Sequence, residues 1–327
     1  EDLFGSLHTY QAIEKNSPKN NNYLVMGPWT HGAWARNGWD KFGTYNFGSN
    51  TSQYFQDSLQ TKFFNFYLKD KGNFNASEAT VFETGTNEWK HYSKWPPADI
   101  HYAPWYLKSN GQLSPEGKSN LHSDKDHFTE YVSDPANPVP YTGGVYARRN
   151  NEYMVEDQRF AATRPDVIAF TSQILPHDII LAGPIKADIF VSTTSTDADF
   201  IIKVIDVLPD SSTEVSTKGL PMAGFQRLVR AEVFRGKFRN SYEHPQPFVP
   251  NKISEIKINL NDVAHTFLKG HKIMIQIQSS WFPLVDRNPQ KFMRIPEANQ
   301  SDFKKATIRI WHDGEHISKI ILPQLDQ

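Results

Sequence analysis

Cysteine is absent from this sequence of 327 residues, so disulfide bonds and thiolate metal sites are excluded. An excess of basic charge is absent too, because 35 Lys and Arg residues face 36 Asp and Glu residues and the formal net charge is -1. The chain therefore has no basic field with which to hold nucleic acid or an anionic membrane surface. No apolar run reaches the roughly 18 residues of a transmembrane helix, so no membrane span is predicted.

One catalytic motif is also missing. No Gly-x-Ser-x-Gly sequence, the strained turn that presents a catalytic serine in one large class of hydrolases, occurs in the chain. The composition is otherwise typical of a folded protein with a sizeable core, since 38% of the residues are hydrophobic and 22% are charged. The length predicts one large domain or two medium ones.

The first part of the chain has the pattern of an α/β sheet. Residues 2–15 carry apolar side chains at helical spacing, and residues 23–26 form a short apolar run typical of a buried parallel strand. Residues 52–69 return to helical spacing before Gly72, which is a common residue just beyond a helix end. This helix–strand–helix order predicts that residues 1–75 are one fragment of an α/β sheet.

The rest of the chain has a β pattern. Runs rich in Val, Ile, Phe, Thr and Tyr alternate with turn clusters without intervening helices, and Asn110-Gly111 is a strong hairpin signal. A jelly-roll β-sandwich is predicted for residues 76–327, so the chain is mainly β. Residues 114–165 are punctuated by proline and are predicted to be an ordered excursion over the first domain. The predicted strands include 79–83, 105–108, 178–181, 187–193, 200–207, 226–234, 252–260, 271–278, 306–311 and 317–322.

His31 is the candidate catalytic residue. It follows a short apolar strand in the loop Gly27-Pro28-Trp29-Thr30-His31-Gly32, and such loops build active sites in open α/β sheets. Imidazole can take and return a proton near neutral pH, so the functional interpretation is general base in a nucleophile–His–acid triad. The alternative, with about equal weight on position alone, is a histidine hydrogen-bonded in a structural loop.

Other polar and aromatic residues are weaker candidates. Trp29 and Trp34 either line a substrate pocket or pack under the loop, and the sequence favours neither role over the other. Asp197 and Asp199 have the i, i+2 spacing of metal ligands but lack a third acid, so capping of a strand edge is favoured. No metal site and no cofactor are predicted. The histidines that lack metal-ligand spacing are expected at the surface: His244, His265 and His271.

The order of several motifs resembles one family. The loop around His31, after a helix that begins Asp2-Leu3-Phe4-Gly5-Ser6-Leu7, is similar to the cocaine esterase/α-amino-acid ester hydrolase family. That family includes glutaryl-7-aminocephalosporanic acid acylases and is related to X-Pro dipeptidyl peptidases. Further similar motifs follow in order along nearly the whole chain: Tyr131-Val132-Ser133-Asp134-Pro135, Asp197-Ala198-Asp199-Phe200, Arg235-Gly236-Lys237-Phe238-Arg239, Gly270-His271-Lys272-Ile273, Ser279-Ser280-Trp281-Phe282-Pro283 and Asp286-Arg287-Asn288-Pro289.

This resemblance implies a serine hydrolase with an α/β-hydrolase domain, a helical cap and a C-terminal jelly roll of the X-Pro dipeptidyl peptidase type. It implies that His31 is the only triad member in this chain, with the acid a few residues before Glu1 and the serine further upstream. Asp2 is a weaker alternative for the acid, since a first-turn role at the helix dipole is favoured. The implied substrates are small-molecule esters or amides of acyl or amino-acid type.

The resemblance also carries expectations about partners. A chain without a nucleophile elbow is expected to be inactive alone and to associate with the missing N-terminal hydrolase half, or with itself as a homo-oligomer. No nucleic-acid or membrane partner is expected. The compartment stays open, although a periplasmic or secreted location is compatible with such enzymes. The alternative function is a jelly-roll module that binds carbohydrate or is purely structural, without catalysis.

Overall fold

The computed structural model describes residues 2–117, 127–312 and 314–326. Within these residues the chain forms four sheets and few helices, which confirms the predicted mainly β fold. The strands are β1 (Leu24–Met26), β2 (Lys41–Phe42), β3 (Tyr45–Asn46), β4 (Ala79–Glu83), β5 (Glu88–Tyr92), β6 (Ile100–Leu107), β7 (Leu113–Ser114), β8 (Phe128–Ser133), β9 (Ile168–Thr171), β10 (Ile179–Thr193), β11 (Asp199–Val207), β12 (Gln226–Arg235), β13 (Ser254–Phe267), β14 (Lys272–Gln278), β15 (Ala306–Trp311) and β16 (Lys319–Leu325).

The helices lie mostly in the first 70 residues. Helix α1 covers Asp2–Asn16, and a second helical stretch runs through α2 (Thr51–Tyr54), a π-helical segment (Phe55–Gln60) and α3 (Thr61–Lys69). A single further turn, α4, covers Arg159–Ala162. None of the helices in the described part of the chain is long and apolar enough to cross a membrane.

Strands β1, β4 and β5 form a small sheet that packs, together with helix α1, on the larger β region. Strand β1 pairs in parallel with β4, and β4 pairs with the antiparallel β5. Leu7 and Tyr10 of α1 pack with Leu24 of β1 and also with Ala182 of β10, so this sheet shares a core with the sandwich. Strand pairing thus continues across the predicted boundary between residues 75 and 76.

The remaining strands form a two-layered sandwich. One layer has the order β7-β6-β16-β10-β15-β8, with β13 also paired to β10, and the other has the order β12-β11-β14-β9. Inward side chains of the two layers form one apolar core, which includes Ile189 of β10 and Phe200 of β11. Burial of each such side chain stabilises the fold by about 1.5–3 kcal/mol.

Two details differ from the sequence pattern. The predicted strands at 178–181 and 187–193 are one strand, β10, because the chain shifts register between Pro184 and Lys186 in a bulge instead of turning. Strand β8 lies inside the predicted excursion at 114–165, where it forms an edge strand against β15. Residues 118–126 of that excursion are outside the described residues.

The later part of the excursion packs on the outer face of the four-stranded layer, where it contacts Lys203. This side chain points out from β11 and is 0% exposed. Its Nζ donates a hydrogen bond of 3.0 Å to Gln158 Oε1 and lies 5.3 Å from the ring centre of Trp281 and 5.6 Å from that of Phe160. Aromatic faces attract an ammonium group, so Lys203 ties β11 to the segment above it.

A glycine after β4 allows the small sheet to approach the sandwich. Gly85 has a φ of +95°, and a Cβ atom at this position would lie 2.1 Å from the backbone oxygen of Thr266 on β13. We expect Gly85→Ala to lower the free energy of unfolding by more than about 2 kcal/mol, because the clash adds to the strain of a positive φ. Gly219→Ala is the control, since Gly219 also has a positive φ, of +75°, but a Cβ atom there would have no other atom within 4 Å. Equal losses in the two variants, measured by urea unfolding, would contradict the role of this contact.

The burial of Lys203 gives the fold a pH dependence. Burial lowers the pKa of Lys203 to about 7, from 10.5. Between these values the unfolded chain binds a proton that the folded chain releases, so the free energy of unfolding should rise with pH, by at most about 1.4 kcal/mol per pH unit. Unfolding curves at pH 7, 8 and 9 should show a smaller rise in Lys203→Met than in Lys252→Met, whose exposed lysine serves as control. Parallel pH profiles of the two variants would rule the effect out.

Candidate functional site

The loop that carries His31 begins at the carboxyl end of the parallel strand β1. Ala33 N donates to Thr30 O at 2.9 Å, and Gly32 takes a φ of +73°, so the chain turns sharply at the histidine. Gly27 is required for a second reason, because a Cβ atom there would lie 2.5 Å from the Trp29 ring. The local sequence therefore folds the loop back over its own tryptophan.

Hydrogen bonds from the indole rings hold the loop in place. Trp29 Nε1 donates to Thr51 Oγ1 at 3.1 Å, and Thr51 Oγ1 donates to the Trp39 backbone oxygen at 2.9 Å. Trp39 Nε1 in turn donates to Pro28 O at 2.9 Å. Thr51 is 0% exposed, and it lies at the first position of α2. One buried hydroxyl thus joins the start of the second helical stretch to Trp29 in the loop and to Trp39 after it.

The π-helical segment supports the same loop from the other side. Gln56 Nε2 donates to Trp34 O at 2.9 Å and to Arg36 O at 3.2 Å. The Phe55 ring lies 5.2 Å from the Trp29 ring, edge to face. Segments of π-helix often occur at functional sites, because the wider turn redirects side chains. Gln56 lies within this segment and bonds the loop backbone.

His31 itself is exposed to solvent, and its ring centre lies 6.0 Å from that of the half-buried Trp34. Trp34 also touches Trp29, with ring centres 6.5 Å apart. Trp29 contacts Phe55 and Thr51 behind the loop, so Trp34 is the tryptophan beside the imidazole. This geometry offers an accessible proton acceptor next to an apolar ring, on a loop with many fixed contacts.

The two aspartates with metal-like spacing take part in ion pairs instead. Asp199 Oδ1 accepts a hydrogen bond of 2.8 Å from Asn288, and its Oδ2 lies 3.3 Å from Arg235 Nη1. Asp197 Oδ2 lies 3.6 Å from Lys237 Nζ. Burial raises the pKa of Asp199 to about 7. These groups stabilise the end of the four-stranded layer, and their ion pairs lie within the sandwich.

The surface position expected for two histidines is wrong. His265 is 1% exposed and His271 is 6% exposed, and both flank the buried Asp206 of β11. His271 Nδ1 lies 2.8 Å from Asp206 Oδ1, and His265 Nε2 lies 3.6 Å from Oδ2. Burial alone would raise the pKa of Asp206, but the two histidines outweigh it and lower the pKa to about 2. An aspartate within the apolar run 201–207 was the signal that could have shown this.

Comparisons with known proteins agree with the fold. The family model described as the X-Pro dipeptidyl-peptidase C-terminal non-catalytic domain matches residues 73–321. His31 and its loop lie before that match. Cocaine esterase from Rhodococcus sp. (strain MB1 Bresler) is 30% identical over 328 residues, which cover 97% of this chain and 53% of the esterase. The chain thus spans about half the length of the curated relatives it matches.

Solved structures give the same result. An aminopeptidase from a marine sediment Thaumarchaeota archaeon is 37% identical with a TM-score of 0.91, covering 100% of this chain and 53% of that one. An α-amino acid ester hydrolase is 35% identical with a TM-score of 0.91, covering 99% of this chain and 53% of that one. The resemblance found in the motifs is confirmed, and the chain belongs to the X-Pro dipeptidyl-peptidase C-terminal domain family within the cocaine esterase/α-amino-acid ester hydrolase group.

Proposed function

We propose that this chain works as part of a serine hydrolase that cleaves ester or amide bonds of acyl or amino-acid-type substrates, with His31 as general base. The observation that carries the proposal is an exposed imidazole at the carboxyl end of β1, fixed beside Trp34. The named activities of the relatives, an esterase, an aminopeptidase and an ester hydrolase, favour hydrolysis over a carbohydrate-binding or structural role.

In the proposed reaction His31 acts twice. It takes the proton of a serine hydroxyl as the hydroxyl attacks the substrate carbonyl, and it returns that proton to the leaving group. It then takes a proton from the water that releases the acyl group. Because no Gly-x-Ser-x-Gly motif occurs in residues 1–327, we propose that the serine comes from polypeptide outside them, and the family resemblance implies the same for the carboxylate that orients the imidazole, with Asp2 as the weaker alternative.

The aromatic residues of the loop complete the proposed pocket. Trp34 forms the wall beside His31, and Trp29 forms the layer behind it, held by Thr51 and Phe55. Such a wall suits the apolar part of an acyl group or of an amino-acid side chain, since an aromatic face offers a large contact area.

Helix α3 supports the proposed partnership with a hydrolase half. It exposes Phe64, Phe66, Tyr67 and Leu68, with 46%, 38%, 41% and 73% of their surfaces accessible. Apolar side chains grouped in this way on one helix are typical of a surface that another polypeptide covers. We propose the hydrolase half as that polypeptide, with a second copy of the chain as the alternative.

The role of His31 can be tested in the intact hydrolase that contains this chain. We expect His31→Gln to lower kcat/KM for a chromogenic ester by about 1,000-fold or more, because the triad loses its proton acceptor. His244→Gln, at an exposed loop position, is the matched control and should retain wild-type turnover. Turnover near the wild-type level in His31→Gln, with normal thermal stability, would refute the proposal.

The role of Trp34 calls for a separate measurement. We expect Trp34→Leu to raise KM for an ester with an aromatic acyl group by about tenfold with a small change in kcat, because about 1.4 kcal/mol of ring contact is lost. Trp311→Leu removes a half-buried tryptophan of β15 and controls for general destabilisation. The same kinetic change in both variants would argue against a pocket at Trp34.

A further inference from the structure

A polar cavity of about 410 Å³ lies at one end of the sandwich. The hairpin β2–β3, the turn after β4 and the loop between β11 and β12 all contribute to its wall. Hydroxyl and amide side chains dominate this wall, among them Thr44, Asn46, Asn87, Ser216 and Thr217. A cavity of this size holds a small organic molecule, and its polar wall disfavours an apolar one.

Arg227 provides the positive charge of the cavity. It lies directly opposite Asp206 across the β11–β12 pair, and its guanidinium carbon lies 4.5 Å from the centre of the Tyr45 ring. The Nε atom is buried and has no hydrogen-bond partner among the described residues. Among the residues that the structure describes, Arg227 forms one ion pair, a long contact of 3.8 Å between its Nη2 atom and Glu214 Oε2. The guanidinium is therefore oriented by stacking while its donors are largely unused.

The carboxylate beside Arg227 is already engaged by other groups. Asp206 shares a hydrogen bond of 2.8 Å with His271 and has His265 within 3.6 Å of its second oxygen. Glu214, the other acid of the cavity, is 56% exposed, and its Oε2 lies 3.8 Å from Arg227 Nη2. The wall of the cavity thus carries a guanidinium, a carboxylate engaged by two histidines and a second, exposed carboxylate.

We propose that this cavity binds a small carboxylate-bearing molecule of amino-acid or dipeptide size. The carboxylate of the ligand accepts hydrogen bonds from Arg227, whose planar guanidinium matches carboxylate geometry. An amino group on the same ligand meets Glu214, and the hydroxyl and amide side chains of the wall bond its peptide group. This site uses none of the residues of the His31 loop and does not rest on the proposed hydrolase function.

Binding can be measured on the intact protein by calorimetry with four probes: L-alanyl-L-alanine, L-alanine, propionate and L-alaninamide. The dipeptide should bind more tightly than propionate, and L-alaninamide, which lacks a carboxylate, should show no binding to this cavity. Arg227→Gln should weaken the dipeptide and propionate by about tenfold or more, the usual effect of losing a charged hydrogen bond. Arg294→Gln removes an exposed arginine that pairs with Glu297, and it is the control expected to bind normally.

A second variant keeps the test decisive if Arg227→Gln fails to fold. Glu214→Gln should weaken L-alanyl-L-alanine severalfold and leave propionate unchanged, because only the dipeptide has an amino group. Crystals soaked in the dipeptide should show its carboxylate against Arg227. Equal affinity in Arg227→Gln and wild type, equal effects of Glu214→Gln on both probes, or density for the dipeptide only elsewhere would each overturn the proposal.

Discussion

The arrangement of this chain depends on the backbone contact between the turn after β4 and strand β13. Thr84 N donates to Ala264 O at 3.1 Å, and Thr266 N donates to Thr84 O at 2.9 Å. Glu83, which is 2% exposed, accepts a hydrogen bond of 2.9 Å from the Thr266 hydroxyl. The two main-chain bonds and this side-chain bond join the small α/β sheet to the sandwich, and only glycine at position 85 lets the two backbones come so close. Because β4 also pairs with β1, the strand that leads to His31 is fixed relative to the β-sandwich.

Sequence patterns predicted the features that depend on neighbouring residues. The strand before His31, the helix before it and the hairpin at Asn110-Gly111 all follow from local spacing or from turn residues. The predicted strands at 178–181 and 187–193 were wrongly separated for the same reason, because the break between them is a bulge within one long strand. Strand β8 was missed because its pattern is not apolar on the buried face, since Ser133 is buried and Val132 is exposed, so its identity depends on pairing with the distant β15.

The candidate sites divide in the same way. His31 could be predicted because its strand, loop and residue type lie within nine consecutive positions. The supports of its loop could not, since Thr51 and Gln56 act on residues about 20 positions away and neither belongs to a known motif. The group of Asp206, His265 and Arg227 comes from three strands, and only the closed sandwich brings it together. Long-range pairing, which a single sequence does not display, thus determines most of the polar chemistry of this chain.

The support of the His31 loop bears on the proposed role of this residue as a general base. A proton acceptor is effective when its distance to the reacting hydroxyl is kept within a few tenths of an ångström, so a catalytic loop needs fixed anchors. This loop has anchors of two kinds: the Thr51 hydroxyl, which bonds the indole of Trp29 and the backbone oxygen of Trp39, and the Gln56 amide, which holds the backbone just beyond the histidine. Both anchors lie on the same helical stretch, Thr51 in α2 and Gln56 in the π-helical segment. The His31 ring is exposed to solvent on a loop held at these points, which is the arrangement that its proposed role as a general base requires.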